Sequence, residues 1–123
     1  MSLIKKQTGK FGEEAAVSFL KKNGYAIVER NFRIRNGEID IIAIDKKENS
    51  LVFVEVKTRS SEQFGTPFEA INYFKMKALR NAAQVYKLSK PQLPSLLRID
   101  AVAVWIDSNG RVTNIEHMKN ISG

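Results

Sequence analysis

Glu38, Asp40, Glu55 and Lys57 lie within "NGEIDIIAIDKKENSLVFVEVKTR", residues 36–59, a stretch that otherwise reads as a hydrophobic hairpin. Acidic residues are poor strand formers, and a buried carboxylate without partners is costly. The two arms, Glu38 to Asp45 and Ser50 to Arg59, are joined by the four residues "KKEN", which predicts an antiparallel register pairing Ile44 with Leu51 and Ile42 with Phe53. Carried along the arms, that register sets Asp40 opposite Glu55 and Glu38 opposite Lys57. Period-two alternation then projects all four from one side of the sheet and Ile39, Ile41, Val52, Val54 and Val56 from the other.

Directly opposed Asp40 and Glu55 would have Cβ atoms roughly 5 Å apart. Two carboxylates so close repel, and one is driven neutral unless a cation shares the site. Lys57, diagonal to Asp40, supplies part of that charge, and a divalent metal would supply more. Oxygen-only ligation selects a hard cation, Mg²⁺ with Mn²⁺ as the alternative, which takes one or two carboxylates and often binds substrate phosphate as well. Such a site suits phosphodiester hydrolysis: the metal polarises a phosphoryl oxygen and acidifies a water, while the lysine orients that water or stabilises developing charge. The bland alternative is a solvated strand face carrying a structural salt-bridge network.

The elements that must position these residues follow from periodicity. "TGKFGEEAAVSFLKKNGY" predicts a helix with Ala16, Phe19 and Leu20 on one side and Gly24 as its stop. Projected at about 100° per residue, Glu13 falls beside that stripe and Glu14 roughly opposite, with Gly9 and Gly12 on the inner face. "YAIVERNFRIR" predicts a strand ahead of the hairpin. A loop containing "FGTP" precedes a long helix, "FEAINYFKMKALRNAAQVYKL", whose stripe is Ile71, Phe74, Ala78, Ala82, Val85 and Tyr86, with Lys75 inside that arc. "SKPQLP" ends the helix, and "LLRIDAVAVWID" and "RVTNIEHM" predict two strands joined by "SNG". The order α-β-β-β-α-β-β points to an α/β fold with a mixed sheet flanked by helices.

Size and composition bound the class. The 123 residues suit a single domain spanning 1–123, and 43% apolar with 27% charged residues is ordinary for a globular protein. No apolar run is long enough to span a bilayer, "MSLIKKQTGKFGEE" has no apolar signal segment, and the absence of cysteine fits a reducing, cytoplasmic setting. Twenty Lys and Arg against thirteen Asp and Glu give a net charge of +7. Such an excess fits a polyanion partner or simply solubility.

With the residues in place, a resemblance appears. "GEIDIIA" followed by "FVEVKTR", with fourteen residues between Asp40 and Glu55, is similar to the PD-(D/E)xK nuclease superfamily, although Ile39 stands where the motif's name has proline. More closely, "GKFGEEAAVSFLKKNGY", "NFRIRNGEIDIIAID", "LVFVEVKTR", "FGTPFEAI" with Lys75, and "LRIDAVAV" together resemble the YraN-like family of bacterial proteins. That family is considered nuclease-like and similar to archaeal Holliday-junction resolvases. The resemblance covers Gly9 to about Val104 and implies a restriction-endonuclease-like fold acting on nucleic acid, DNA before RNA. It implies Glu13, Asp40, Glu55 and Lys57 as catalytic residues, with Asp40, Glu55 and the Val56 carbonyl as metal ligands. A homodimer is the assembly a junction resolvase would use, since it cuts two strands symmetrically, and nothing in the sequence marks a dimer surface.

Other charged residues read less sharply. Glu38 is either an outer acid of the site or the partner of Lys57, and the second reading is preferred. Lys75 either snorkels over the core edge or contacts phosphate. Arg33, Arg35, Arg59 and Lys75, together with Arg30, Lys5, Lys6 and Lys10, are candidates for nucleic-acid phosphates. Asp100 is expected to answer Arg98 or a backbone donor, His117 to take no part in catalysis, and Trp105 to pack in the core. The function expected is a Mg²⁺-dependent endonuclease acting on DNA, branched or otherwise structured DNA included. The alternatives are a nucleic-acid-binding module with a nuclease fold but no significant cleavage, and a partner-binding protein whose polar cluster is only structural.

Overall fold

The computed structural model describes residues 2–60 and 67–122. Helix α1 runs Ser2–Lys22, followed by β1 Tyr25–Ile34, β2 Gly37–Asp45 and β3 Ser50–Ser60. A short 3₁₀ turn, Pro67–Ala70, leads into α2 Tyr73–Ser89, and β4 Leu96–Ile106 and β5 Val112–Met118 complete the chain. The expected order and mixed sheet are found: five strands in the spatial order β1-β2-β3-β4-β5, antiparallel throughout except for the parallel β3–β4 pair that α2 connects. Phe64, Gly65 and Thr66 of the expected loop lie outside the described residues, as do the side chains of Lys5 and Lys6.

The helices cover opposite faces. Ala16, Val17 and Leu20 of α1 pack with Ile41, Ala43, Val52, Val54, Val102 and Val104. Leu79, Ala82, Ala83 and Tyr86 of α2 pack with Ile39, Ile42, Leu51, Phe53 and Ile99. The continuous apolar run Leu51–Val54 is thus explained by β3 lying at the centre of the sheet, buried on both faces. Where Gly24 ends α1, its φ of +89° supplies the left-handed geometry of a helix stop. Helix α1 begins earlier than periodicity predicts, at Ser2. Helix α2 begins later, because Asn72 accepts the Lys75 N–H at 2.9 Å and caps the first turn there.

Two details of the polar face depart from expectation. The hairpin register is as predicted from Ile41–Val54 through Ile44–Leu51. However, Ile39 packs in the α2-side cluster and Ile41 in the α1-side cluster, so they do not share a face. The alternation changes phase at Asp40, between them. On the β1 side, Arg30 pairs with Ile41 and Phe32 with Ile39, leaving the Asn31–Asp40 step out of the ladder. Asn31 there has φ +56°, a left-handed conformation that Asn tolerates better than most residues. The second departure concerns Glu38, which pairs with Arg33 across the β1–β2 ladder at 3.4 Å rather than with Lys57.

At the other end of the sheet Arg98 binds Asp45, Glu48 and Asp100, each at 2.9–3.0 Å, and the Tyr25 hydroxyl at 2.7 Å. Asp100, fully buried, also accepts the Asn120 N–H and meets His117 Nε2 at 2.8 Å. Asp100 answers Arg98 as expected, and His117 is held in this same structural cluster. Trp105 is half-buried rather than in the core.

Candidate functional site

The ladder between β2 and β3 ends at Ile41–Val54, and beyond it the strands diverge. Asp40 fills the gap: its Oδ2 accepts the backbone N–H of Val56 at 2.7 Å, replacing the missing strand partner. Within a strand, one residue's N–H and C=O point to the same side. The Val56 carbonyl therefore faces the same gap.

Glu55, only 3% exposed, projects towards α2. Both Lys57 Nζ and Lys75 Nζ approach its Oε2, at 3.4 and 3.1 Å. The carboxyls of Asp40 and Glu55 act on one another directly. Burial, and next the charge of Glu55, push the Asp40 carboxyl up to about 7, against the lowering effect of the Val56 N–H; Glu13 adds to the rise. Negative charge at this point is thus incompletely balanced, although two lysines sit on the neighbouring carboxylate. The donors are carboxylate and carbonyl oxygens, the set a hard divalent cation takes. Among the described residues no three His, Cys, Asp or Glu side chains form a metal-holding group. A metal here would rest on Asp40, Glu55 and the Val56 carbonyl, with water or phosphate in its remaining positions, which is how Mg²⁺ is commonly held.

Glu13 faces inward, as its projection predicts, but it is occupied. Its Oε1 accepts from Arg30 Nη2 at 3.3 Å and from Asn31 Nδ2 at 3.1 Å. Glu14, though exposed, reaches the same Arg30 nitrogen at 2.7 Å instead of pointing clear of it. Arg30 is therefore a clasp on α1 rather than a free phosphate contact. Close approach makes the clasp feasible: a Cβ on Gly12 would collide with the Thr58 side chain of β3, so α1 can lie this near the sheet only with glycine there. Gly9, by contrast, faces open space.

A cleft of about 460 Å³ lies between the β1–β2 turn and α2. Arg33, Arg35, Gly37, Glu38, Lys75 and Ala78 are among its lining residues. Lys75 belongs both to this cleft and to the Glu55 pair. Gly37 lets the turn approach α2 closely, since a Cβ there would stand 2.9 Å from the Ala78 carbonyl oxygen. Three of the four predicted nucleic-acid contacts thus converge on one groove. The fourth, Arg59, lies farther along β3 and donates to the Thr58 carbonyl at 2.9 Å.

Sequence reasoning did not foresee the Arg30–Asn31 clasp or the contact of Lys75 with Glu55. A signal was available for the first, because Asn31 interrupts an otherwise regular strand with a residue that strands disfavour.

The family profile described as "Uncharacterised protein family UPF0102" matches residues 12–104. A UPF0102 protein of Caldicellulosiruptor bescii is 47% identical over 118 residues, covering 94% of this chain and 96% of the relative. One of Desulforamulus reducens is 42% identical, covering 98% of each chain, and one of Moorella thermoacetica is 43% identical, covering 97% and 98%. These matches run through every element that builds the site. The chain belongs to the UPF0102 family.

Proposed function

We propose that the protein is a metal-dependent endonuclease that hydrolyses phosphodiester bonds in DNA, branched or otherwise structured DNA included. The observation that supports this reading is the meeting of the buried Asp40 and Glu55 carboxyls beside the Val56 backbone, with Lys57 and Lys75 on Glu55. A divalent cation bound there, Mg²⁺ or Mn²⁺, would supply Lewis-acid polarisation of the phosphodiester and a more acidic water. Lys57 would orient the attacking water or offset charge developing on the phosphoryl oxygens. Arg33, Arg35 and Lys75 would hold neighbouring phosphates along the cleft, positioning the strand without reading its sequence. Glu13 would act from its Arg30–Asn31 clasp by its charge on Asp40. On a four-way junction, symmetric cutting of two strands would call for two such sites and hence a homodimer.

A second reading, a nucleic-acid-binding module that does not cut, draws support from a different observation. Both lysines lie on the same Glu55 oxygen, and Glu13 is already satisfied by Arg30 and Asn31.

The test is a cleavage and binding screen over linear duplex, single-stranded, flapped and four-way-junction DNA and structured RNA, with Mg²⁺, Mn²⁺ or EDTA. Metal-dependent cutting abolished in Asp40→Asn, Glu55→Gln and Lys57→Ala supports the nuclease reading. Cutting that survives all three removes the site assignment, and binding without cutting on every substrate selects the second reading.

A further inference from the structure

Tyr73 and Phe74 open α2 as adjacent aromatic side chains, 69% and 77% exposed, with ring centroids 5.5 Å apart in edge-to-face contact. The apolar stripe predicted for α2 includes Phe74, yet the core takes Leu79, Ala82, Ala83 and Tyr86 and leaves Phe74 in solvent. Departures from local pattern concentrate at functional sites. Exposure alone carries no weight here, since Leu88 and Val85 farther along α2 are exposed too; the position of the pair does.

Lys75, the next residue, reaches Glu55 at 3.1 Å. Phe74 and Ala78 are four residues apart, so they stand on one flank of the helix, and Ala78 lines the cleft together with Arg33, Arg35 and Lys75. Asn72 fixes the geometry of this first turn by capping it. Phe74 therefore stands on the flank of α2 that carries Ala78, with Tyr73 packed against its ring, beside a cleft whose Lys75 also reaches Glu55, in a chain of net charge +7. A positive groove that tracks phosphates beside aromatic rings that stack bases is the arrangement by which proteins hold unpaired strands. A closed duplex offers no free base face to such rings.

We infer that Tyr73 and Phe74 form a stacking platform for unpaired bases of a DNA strand whose phosphates run through the Arg33–Arg35–Lys75 cleft to Asp40 and Glu55. Single-stranded or flapped DNA is then the substrate class. The inference rests on the nuclease reading for the polymer and for the strand's destination.

The test is fluorescence anisotropy in EDTA with labelled single-stranded DNA, blunt duplex DNA and single-stranded RNA of equal length. Wild type binds single-stranded DNA in preference to the other two. Y73A/F74A loses about tenfold in affinity for single-stranded DNA and less than about threefold for duplex. The pair Tyr73→Trp with Phe74→Trp retains wild-type affinity and shows quenched indole fluorescence on binding, whereas the corresponding leucine pair binds as weakly as the alanine pair. Thermal unfolding confirms that each variant is folded, and the tryptophan pair reports stacking directly should the alanine pair be destabilised. No loss in Y73A/F74A, an equal loss on duplex, full affinity in the leucine pair, or absence of quenching overturns the platform. Preferential binding of RNA overturns the assignment to DNA. Because binding is read without metal, a wild type that binds through these rings but cuts nothing overturns the nuclease reading alone. A wild type that cuts while Y73A/F74A binds normally overturns this inference alone.

Discussion

Asp40 Oδ2 accepts the backbone N–H of Val56 at 2.7 Å, at the point where β2 and β3 part. A side chain thus takes over the hydrogen bond that a strand partner would have made, and it holds a buried carboxyl beside Glu55. Such an arrangement is unfavourable for the metal-free fold, and that has measurable consequences.

Asp40→Asn is expected to stabilise the protein in EDTA at pH 8. The folded carboxyl titrates at about 7 against an ordinary 3.8. A raised carboxyl binds its proton more tightly in the native state, so stability falls as pH rises from about 4 to 7 and stays lowered above that range. Asparagine retains an oxygen for the Val56 N–H while removing the charge, which should yield about 2 kcal/mol at pH 8 and almost nothing at pH 3.5. Urea unfolding at the two pH values measures this, and a variant less stable than wild type at pH 8 would refute the account of a charge made unfavourable by burial and by Glu55.

Mg²⁺ or Mn²⁺ should raise the unfolding temperature of the wild type and leave Asp40→Asn and Glu55→Gln almost unmoved. At a metal concentration one hundred times the dissociation constant, linkage gives about 2.7 kcal/mol. Thermal denaturation with and without EDTA reads the effect independently of any cleavage. An equal rise in all three proteins would place the ion elsewhere.

Gly12→Ala should destabilise by about 1–3 kcal/mol, because its Cβ would enter the space of the Thr58 side chain. Thr58→Ala in the same chain should restore part of that loss, as expected for residues in direct contact. Additive effects in the double-mutant cycle would show that α1 does not depend on this close approach.

Removing the Arg98 guanidinium with Arg98→Met leaves buried Asp45 and Asp100 without their cation, at a cost of about 3–5 kcal/mol. In the wild type, burial pushes both carboxyls up. For Asp45 the bonds from Arg98 and from the Glu48 and Lys47 N–H groups outweigh that push, and for Asp100 those from His117, Arg98 and the Asn120 N–H do so, leaving both below the usual range. A lowered carboxyl contributes stability above its unfolded value and loses it as pH falls through the folded one. The cluster should therefore fail below about pH 4. Acid unfolding of wild type and variant checks this, and parallel curves displaced by less than 1 kcal/mol would show that the cluster contributes little.

Much of this was legible before any fold was known. Alternation and turn residues determined the hairpin register, because a one-residue slip would turn the apolar set to the wrong face. Gly24 determined the end of α1, since φ near +89° favours a residue without Cβ. The pattern of carboxylates and lysine across the hairpin likewise marked Asp40 and Glu55 as neighbours, but the ladder stops at Ile41–Val54, so they do not face one another as a strand pair. Only the tertiary structure decided where that alternation breaks, at Asp40, beside the left-handed Asn31 of the neighbouring strand. Packing also decided which apolar residues α2 buries: its cap at Asn72 and its fit against the sheet seat Leu79, Ala82, Ala83 and Tyr86 and turn Phe74 outward. Contacts between distant residues, such as Lys75 with Glu55 and Arg30 with Glu13, have no period to read in one chain segment. They exist only once two helices have been laid against a sheet.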